Sequence, residues 1–594
     1  MKEFFKMTLA CIVGVILAGL IGMFFFFGII GSLAGGSSGK PVLPREGVLD
    51  VDMSKFILGE QNQEAGIPDF RSLNTQSYPT VGILEAAKAI DIAAEDPSVK
   101  YLLLRSDAMM SGMAQLEEFR ASLLKFRAGG KAVVAYTEQP GNGSYFLDSA
   151  ADKIYMLKDH GGQSMLLGIS SRMTFLKDLL DKFGVNVQLI RHGKYKSAGE
   201  MFIRNSPSPE NLEQYQAMID AIWKKFSGDM AEGRGISVEK LNSLIDNLSL
   251  LHPEDFLAEG LVDSLFTHEQ LVMKLAELSG AAKPEDLKLI PFVDYVKSKV
   301  PAAIPGKNNV AVIYADGNIV DGKEAQEVAG DRFASIIDKI RRDETVKAVV
   351  LRVNSPGGSV LASNKIKDAL DLLKEQKPLV ASYGNYAASG GYWISNNCGK
   401  IYSDATTLTG SIGVFSMIPD LGKTAKDIAH VGITSVGSNK HSDMFSLMRP
   451  FNKEELDYMQ ASIEDIYSSF VSIVAQGRGL TEAKVDEIAQ GRVWAGSDAI
   501  GIGLVDEIGT LQDAVAYAAS LAGFEDPKAY AVVGYPKAKT TMETVMEMFG
   551  QKSPDEPAIL AGTAFEFMEQ GIREIMSNKA GKAYARLPFD IEIR

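Results

Sequence analysis

The sequence predicts an α/β protein made of two tandem copies of one domain. Two observations carry this. Apolar β-branched runs alternate with helix-spaced apolar patterns along most of the chain, as expected of parallel strands covered by helices. The pattern also recurs. Lys131 to Tyr155 (KAVVAYTEQPGNGSYFLDSAADKIY) matches Lys377 to Tyr402 (KPLVASYGNYAASGGYWISNNCGKIY), with Tyr145 under Tyr392. At that same offset, VKYLLLR from Val99 to Arg105 matches VKAVVLR from Val346 to Arg352. Farther on, Gly233-Arg234-Gly235 matches Gly477-Arg478-Gly479, and Gly260-Leu261-Val262-Asp263 matches Gly503-Leu504-Val505-Asp506. Two copies of domain size indicate gene duplication rather than a short-repeat solenoid.

The elements follow in order. Residues 1–40 read as a membrane anchor and linker. Met7 to Ile30 carries no charge, Lys2 and Lys6 precede it, and Gly35-Gly36-Ser37-Ser38-Gly39 follows. A helix needs ~20 apolar residues to cross a bilayer, so this run is predicted to span as a transmembrane helix. The positive flank stays cytoplasmic and the body lies outside. In a Gram-negative bacterium that means a single-pass protein of the inner (cytoplasmic) membrane with its domains in the periplasm. Ser32-Leu33-Ala34 resembles a leader cleavage site. The apolar core of a cleaved leader is only ~7–15 residues, so a retained anchor is expected.

Residues 41–300 form the first copy, with an amphipathic helix over Leu212 to Met230. The segment Val300 to Asn309, containing Pro and Gly, links it to the second copy, residues 301–536. There the spacing predicts a strand at Asn309–Tyr314, a helix at Arg332–Arg341, a strand at Ala348–Val353 and a helix at Lys365–Leu373. A strand at Leu379–Tyr383 leads into a serine motif, and a long amphipathic helix covers Lys453–Gln476. The extension 537–594 has no counterpart in the first copy. Its apolar-periodic stretches, Thr541–Phe549 and Phe565–Met576, are expected to pack on the protomer body or on a neighbouring subunit.

Composition bounds the function. With 46% hydrophobic and 23% charged residues, large cores can form. A formal net charge of −14 argues against nucleic acid as a partner. The two cysteines are Cys11, in the apolar run, and Cys398. No disulfide between folded domains, no cysteine metal site and no cofactor are expected.

Three motifs of the second copy fall where strands end. In Asn354-Ser355-Pro356-Gly357-Gly358-Ser359, adjacent glycines let backbone N–H groups approach a ligand, and such groups can form an oxyanion hole. Taken alone, this is a tight turn into a helix. In Asn385-Tyr386-Ala387-Ala388-Ser389-Gly390-Gly391, small neighbours leave room for a substrate carbonyl over the Ser389 hydroxyl. The first copy has Asn142 there. Taken alone, this is a buried serine starting a helix. In Leu408-Thr409-Gly410-Ser411-Ile412-Gly413, Ser411 either orients a base or ends a strand.

A serine nucleophile needs a base. None of the six histidines stands in an evident Ser-His-Asp arrangement. A lysine serves only when neutral, against a free pKa near ~10.4, so it must be desolvated or held near positive charge. Gly193-Lys194-Tyr195-Lys196-Ser197-Ala198-Gly199-Glu200-Met201-Phe202 supplies a candidate, although composition alone does not single out Lys196.

The motifs NSPGGS, NYAASGGYW and TLTGSIG, with GKYKSAGEMF upstream and an N-terminal anchor, resemble the signal peptide peptidase A family of serine peptidases in its long, duplicated form. The resemblance runs from about Gly47 to Tyr535. It implies two tandem ClpP/crotonase-like domains, a Ser-Lys dyad and hydrolysis of signal peptides and other apolar peptides through an acyl-enzyme. By motif position it makes Ser389 the nucleophile, Lys196 the general base and Ser411 the lysine-orienting residue. Gly357 or Gly358, with Gly390, would form the oxyanion hole. It also implies a homotetramer on the membrane whose serine and lysine come from different protomers. Lys440 is a rival base, because Gly437-Ser438-Asn439-Lys440 aligns with Gly193 to Lys196 and short family members carry their lysine beside the serine. Two other classes of function share parts of the pattern: a crotonase-like acyl-CoA enzyme and a non-catalytic membrane scaffold.

Overall fold

The computed structural model describes residues 41–63, 78–162, 164–300, 303–324, 327–537 and 583–586. The expected spanning run Met7–Ile30 and the tail stretches Thr541–Phe549 and Phe565–Met576 lie outside the described residues. Among those described, no helix is long and apolar enough to cross a membrane.

Each copy is built on a largely parallel sheet. In the first, the strands run Ser264–Phe266, Lys153–Leu157, Val133–Thr137, Val99–Arg105, Gly47–Asp52 and Leu289–Pro291, all parallel. In the second, the order is Val493–Ala495, Leu408–Gly410, Leu379–Ala388, Val346–Ser355, Asn309–Asp316 and Ala531–Tyr535, with only Val493–Ala495 reversed against its neighbour. The central strands are apolar on both faces, as strands buried between helices must be. The predicted elements are present and somewhat longer: Val360–Lys374 for the second helix and Lys453–Arg478 for the long one, which ends on Gly479 at φ +64°.

The duplication extends to single hydrogen bonds. The Tyr145 hydroxyl donates to the Leu261 carbonyl at 2.7 Å, and Tyr392 donates to Leu504 at 2.9 Å. Arg234 donates to the Gly260 carbonyl and Arg478 to that of Gly503. These polar tips are buried or half-buried, and each needs a fixed acceptor, so the matching sequence preserves matching partners.

The copies share one core. Leu49, Leu102 and Phe119 of the first pack in a single cluster with Val310, Val350 and Leu511 of the second. Arg352, fully buried, reaches across to Glu60 and Glu118, each at 2.7 Å. The serine motif itself touches the first copy, where the Asn385 carboxamide accepts from Ala114 N at 3.0 Å and donates to Gln115 at 2.6 Å.

A third sheet joins the copies at the site. Its order is Val328–Ala329, Ile319–Val320, Gly357–Ser359, Tyr584–Arg586, Val414–Asp420, Asn186–His192. The last of these, here called the lysine strand, comes from the first copy. It pairs antiparallel with every residue of Val414–Asp420. Gly357–Ser359 is called the glycine strand and Tyr584–Arg586 the tail strand.

Candidate active site

Ser389 ends the long strand Leu379–Ala388 and precedes the short helix Gly390–Ser395. Its φ of +55° and ψ of −112° are rare for a residue with a side chain. The turn is held by Ser389 N donating to the Gly410 carbonyl at 2.8 Å and by Trp393 N donating to the Ser389 carbonyl at 2.7 Å. Strain of this kind persists only where the surroundings fix it, and it is common at reactive residues.

Lys196 lies in the turn that follows the lysine strand. Its Nζ stands 2.8 Å from Ser389 Oγ, 2.9 Å from Ser411 Oγ and 3.1 Å from the Ser411 carbonyl oxygen. All three residues are fully buried. Burial holds the Lys196 amine well below the ordinary lysine range. A neutral amine has two N–H donors and one lone pair. Ser411 offers two acceptors, its hydroxyl and its carbonyl, which leaves the lone pair for the Ser389 hydroxyl. The Ser411 hydroxyl in turn donates to the Gly491 carbonyl at 3.4 Å.

The turn that carries Lys196 is fixed on the second copy. Tyr195 N donates to the Gln490 carbonyl at 2.9 Å. A Cβ on Gly491 would stand 2.6 Å from both the Cβ and the N of Lys196. The buried Gln214 donates to the Tyr195 carbonyl and to Ser197 Oγ, both at 3.0 Å, and accepts from Val493 N at 3.3 Å. Arg191 donates to the Lys196 carbonyl at 2.7 Å and pairs with the buried Glu200 at 3.1 Å. No local sequence pattern marks Gln214, Arg191 or Gly491. Their roles depend on a contact between copies that no local pattern encodes.

The two glycines differ. Gly357 N donates to Ser355 Oγ at 3.2 Å, so that donor is already used. A Cβ on Gly390 would stand 3.0 Å from Gly358 N and 3.1 Å from the Ala585 carbonyl oxygen. The Gly358 and Gly390 amides therefore border one small volume beside Ser389. A Cβ on Gly357, at φ +104°, would meet the Ala585 carbonyl oxygen at 2.0 Å.

Lys440 is far from this arrangement in environment: exposed, and ion-paired with Glu454. Asn142, at the position of Ser389 in the first copy, exchanges two hydrogen bonds with the backbone of Gly168, both at 2.9 Å. That copy's site is closed on itself. Within the single chain the lysine strand pairs with the second copy and brings Lys196 Nζ to 2.8 Å from Ser389 Oγ, so the expected sharing of serine and lysine between protomers is not needed to form this contact.

The chain matches the model of peptidase family S49 over residues 125–282 and 371–525. It is 34% identical to Protease 4 of Haemophilus influenzae, over 82% of this chain and 80% of that one. To Protease 4 of Salmonella typhi it is 38% identical, over 72% and 69%. To the chloroplastic serine protease SPPA of Arabidopsis thaliana it is 30% identical, over 77% and 68%. A ClpP1 mutant from Listeria monocytogenes overlays 34% of this chain and 94% of its own, at a TM-score of 0.24 and 14% identity, too distant to bear on the fold.

Proposed function

The chain belongs to peptidase family S49 and is a serine protease, and from that premise we propose that it cleaves peptides with a dyad of Ser389 and Lys196. The acyl-CoA enzyme and the scaffold are set aside by the family. The observation that carries the proposal is the 2.8 Å contact between Lys196 Nζ and Ser389 Oγ in a fully buried setting. Ser389 Oγ attacks the peptide carbonyl carbon while its proton passes to Lys196 Nζ. The oxyanion is met by the amides of Gly358 and Gly390. Lys196 then gives the proton to the leaving amine, and the acyl-enzyme forms. Water, deprotonated by the same amine, releases the acyl group and restores Ser389. Ser411 keeps the amine aimed throughout.

The finer reading follows the resemblance. Residues 41–300 and 301–536 are two ClpP/crotonase-like domains, and Met7–Ile30 anchors the chain in the inner membrane with the body in the periplasm. Substrates are then apolar peptides, notably signal peptides released by secretion, which an anchored enzyme meets at high local concentration. Homotetramer formation is supported by a bare segment. Val431 to Val436 precedes Gly437 as the lysine strand precedes Gly193, yet among the described residues it pairs with no strand, and Val431, Ile433 and Val436 are exposed.

Substitution tests the dyad. Lys196→Ala and Ser389→Ala should each reduce peptide hydrolysis to background, and Lys440→Ala should retain the parent rate. Full activity in Lys196→Ala would remove Lys196 from the mechanism.

A further inference from the structure

The loop Gln490–Arg492 touches both Lys196 and Ser411. Tyr195 N, one residue before Lys196, donates to the Gln490 carbonyl, and the Gly491 backbone lies against Lys196 Cβ. The Gly491 carbonyl accepts from the Ser411 hydroxyl. Gly491 N donates to the Ile412 carbonyl at 2.8 Å, and Ser411 N donates to the Arg492 carbonyl at 2.7 Å. A loop that moves therefore carries the amine and its orienting serine with it. Gln490 stands at φ +52°. A residue with a side chain keeps that conformation only where its surroundings impose it.

Tyr467, on the long helix Lys453–Arg478, supplies the constraint. It is buried. Its hydroxyl accepts from Gln490 N at 3.4 Å and from Gln490 Nε2 at 3.2 Å, and donates to Asp486 Oδ1 at 2.5 Å. Gln490 Nε2 also donates to Asp486 Oδ1, at 2.6 Å. The Tyr467 ring stacks on His192, the last residue of the lysine strand, with centroids 3.6 Å apart and planes 19° from parallel. His192 in turn bonds Glu464, one turn earlier on the same helix as Tyr467. One side chain thus holds both the strand end and the loop between which the Lys196 turn sits. The first copy marks the difference. At the offset that pairs Arg234 with Arg478, Trp223 falls under Tyr467 and Asn242 under Asp486. Trp223 Nε1 donates to Asn242 Oδ1 at 2.9 Å, so the pair persists. An indole nitrogen only donates, however, and Trp223 cannot receive a loop amide. There Leu248, at φ +52° like Gln490, gives its N–H to the Ile245 carbonyl of its own helix at 3.0 Å.

We propose that Tyr467 is a positioning residue of the dyad: its hydroxyl fixes Gln490, and through it sets where the Gly491 carbonyl and the Lys196 turn stand. The inference rests on Ser389 and Lys196 being the dyad. Tyr467 acts through the loop, and no proton of the reaction passes over it. Asp486 aims the hydroxyl. Glu464 and His192 are the other titratable groups packed beside the ring.

Tyr467→Phe in the full chain keeps the ring and its stack and removes only the oxygen. For a peptide amide, kcat should fall about tenfold with KM unchanged, because a misplaced base loses rate rather than binding. A looser turn also lets water reach the amine. The rising limb of fluorophosphonate labelling should then move to higher pH, toward the value of a free lysine. Asp486→Ala leaves the hydroxyl unaimed and should move both readings in the same direction. Should Tyr467→Phe fail to fold, Asp486→Ala carries the test. Tyr145→Phe serves as the comparison. It removes a buried hydroxyl from the first copy, and should lower the melting temperature while kcat and the limb keep their parent values. Parent kcat and an unmoved limb in folded Tyr467→Phe would overturn the proposal. An equal fall in Tyr145→Phe would overturn it too, since the loss would then be one of general stability. Undiminished hydrolysis by Lys196→Ala is a different result, and it would strike the dyad instead.

Discussion

In the proposed dyad Lys196 acts as a base only while its amine is neutral, and complete burial favours that form. The direction of its shift fixes the sign of the pH dependence. At low pH the amine holds a proton and cannot accept one from Ser389. As pH rises through its lowered pKa the base is freed, so kcat/KM should climb along a limb set well below the ~10.4 of a free lysine. A pH profile of fluorophosphonate labelling checks this, and an inflection at the ordinary lysine value would contradict it. At this scale much of the site was legible. Ser389, Ser411 and the glycine pair stood out as small-residue motifs at strand ends. Lys196 did not stand out by chemistry, since most lysines are solvated, and it was found only through resemblance. The choice between Gly357 and Gly358 was open in the sequence, because it turns on one hydrogen bond to Ser355.

The lysine strand and the loop at Gln490–Arg492 do the work at the scale of elements. Seven register pairs hold the strand to Val414–Asp420, and the Lys196 turn rests directly on Gly491 at φ +78°. A side chain at Gly491 would meet the Lys196 backbone, and no small adjustment relieves that. Gly491→Val should therefore lower kcat by about a hundredfold, the order expected from a 1 Å misplacement, with KM little changed. Steady-state kinetics beside a melting curve check this; unaltered kcat in a folded variant would contradict it. Strands and helices of the second copy, and the long helix of the first, follow from period and β-branching, with ends short by a few residues. The third sheet was not. Its strands come from both copies and from the tail, and pairing between segments so far apart in sequence leaves no local pattern.

Across the whole molecule, the first copy is a structural partner of the second. It supplies Lys196, shares a core and surrounds Arg352 with Glu60 and Glu118. Removing the cation would leave two buried carboxylates without a counter-charge, held only by the hydrogen bonds from Gln115 to Glu60 and from Leu511 N to Glu118. Arg352→Met should cost about 3–5 kcal/mol, read as a lowered denaturant midpoint, and a shift below about 1 kcal/mol would show that the pair adds little. The duplication was legible end to end, since matched residues keep matched partners such as Tyr145 with Leu261 and Tyr392 with Leu504. How the copies face each other was not, because the residues between them are common ones. The central claim is that a single chain assembles the dyad from its two copies. Co-expression of Ser389→Ala with Lys196→Ala measures this directly. Each chain lacks one half of its own dyad, so the mixed assembly should hydrolyse peptide no faster than either variant alone. Restored hydrolysis would mean that serine and lysine meet across chains, and would contradict the account.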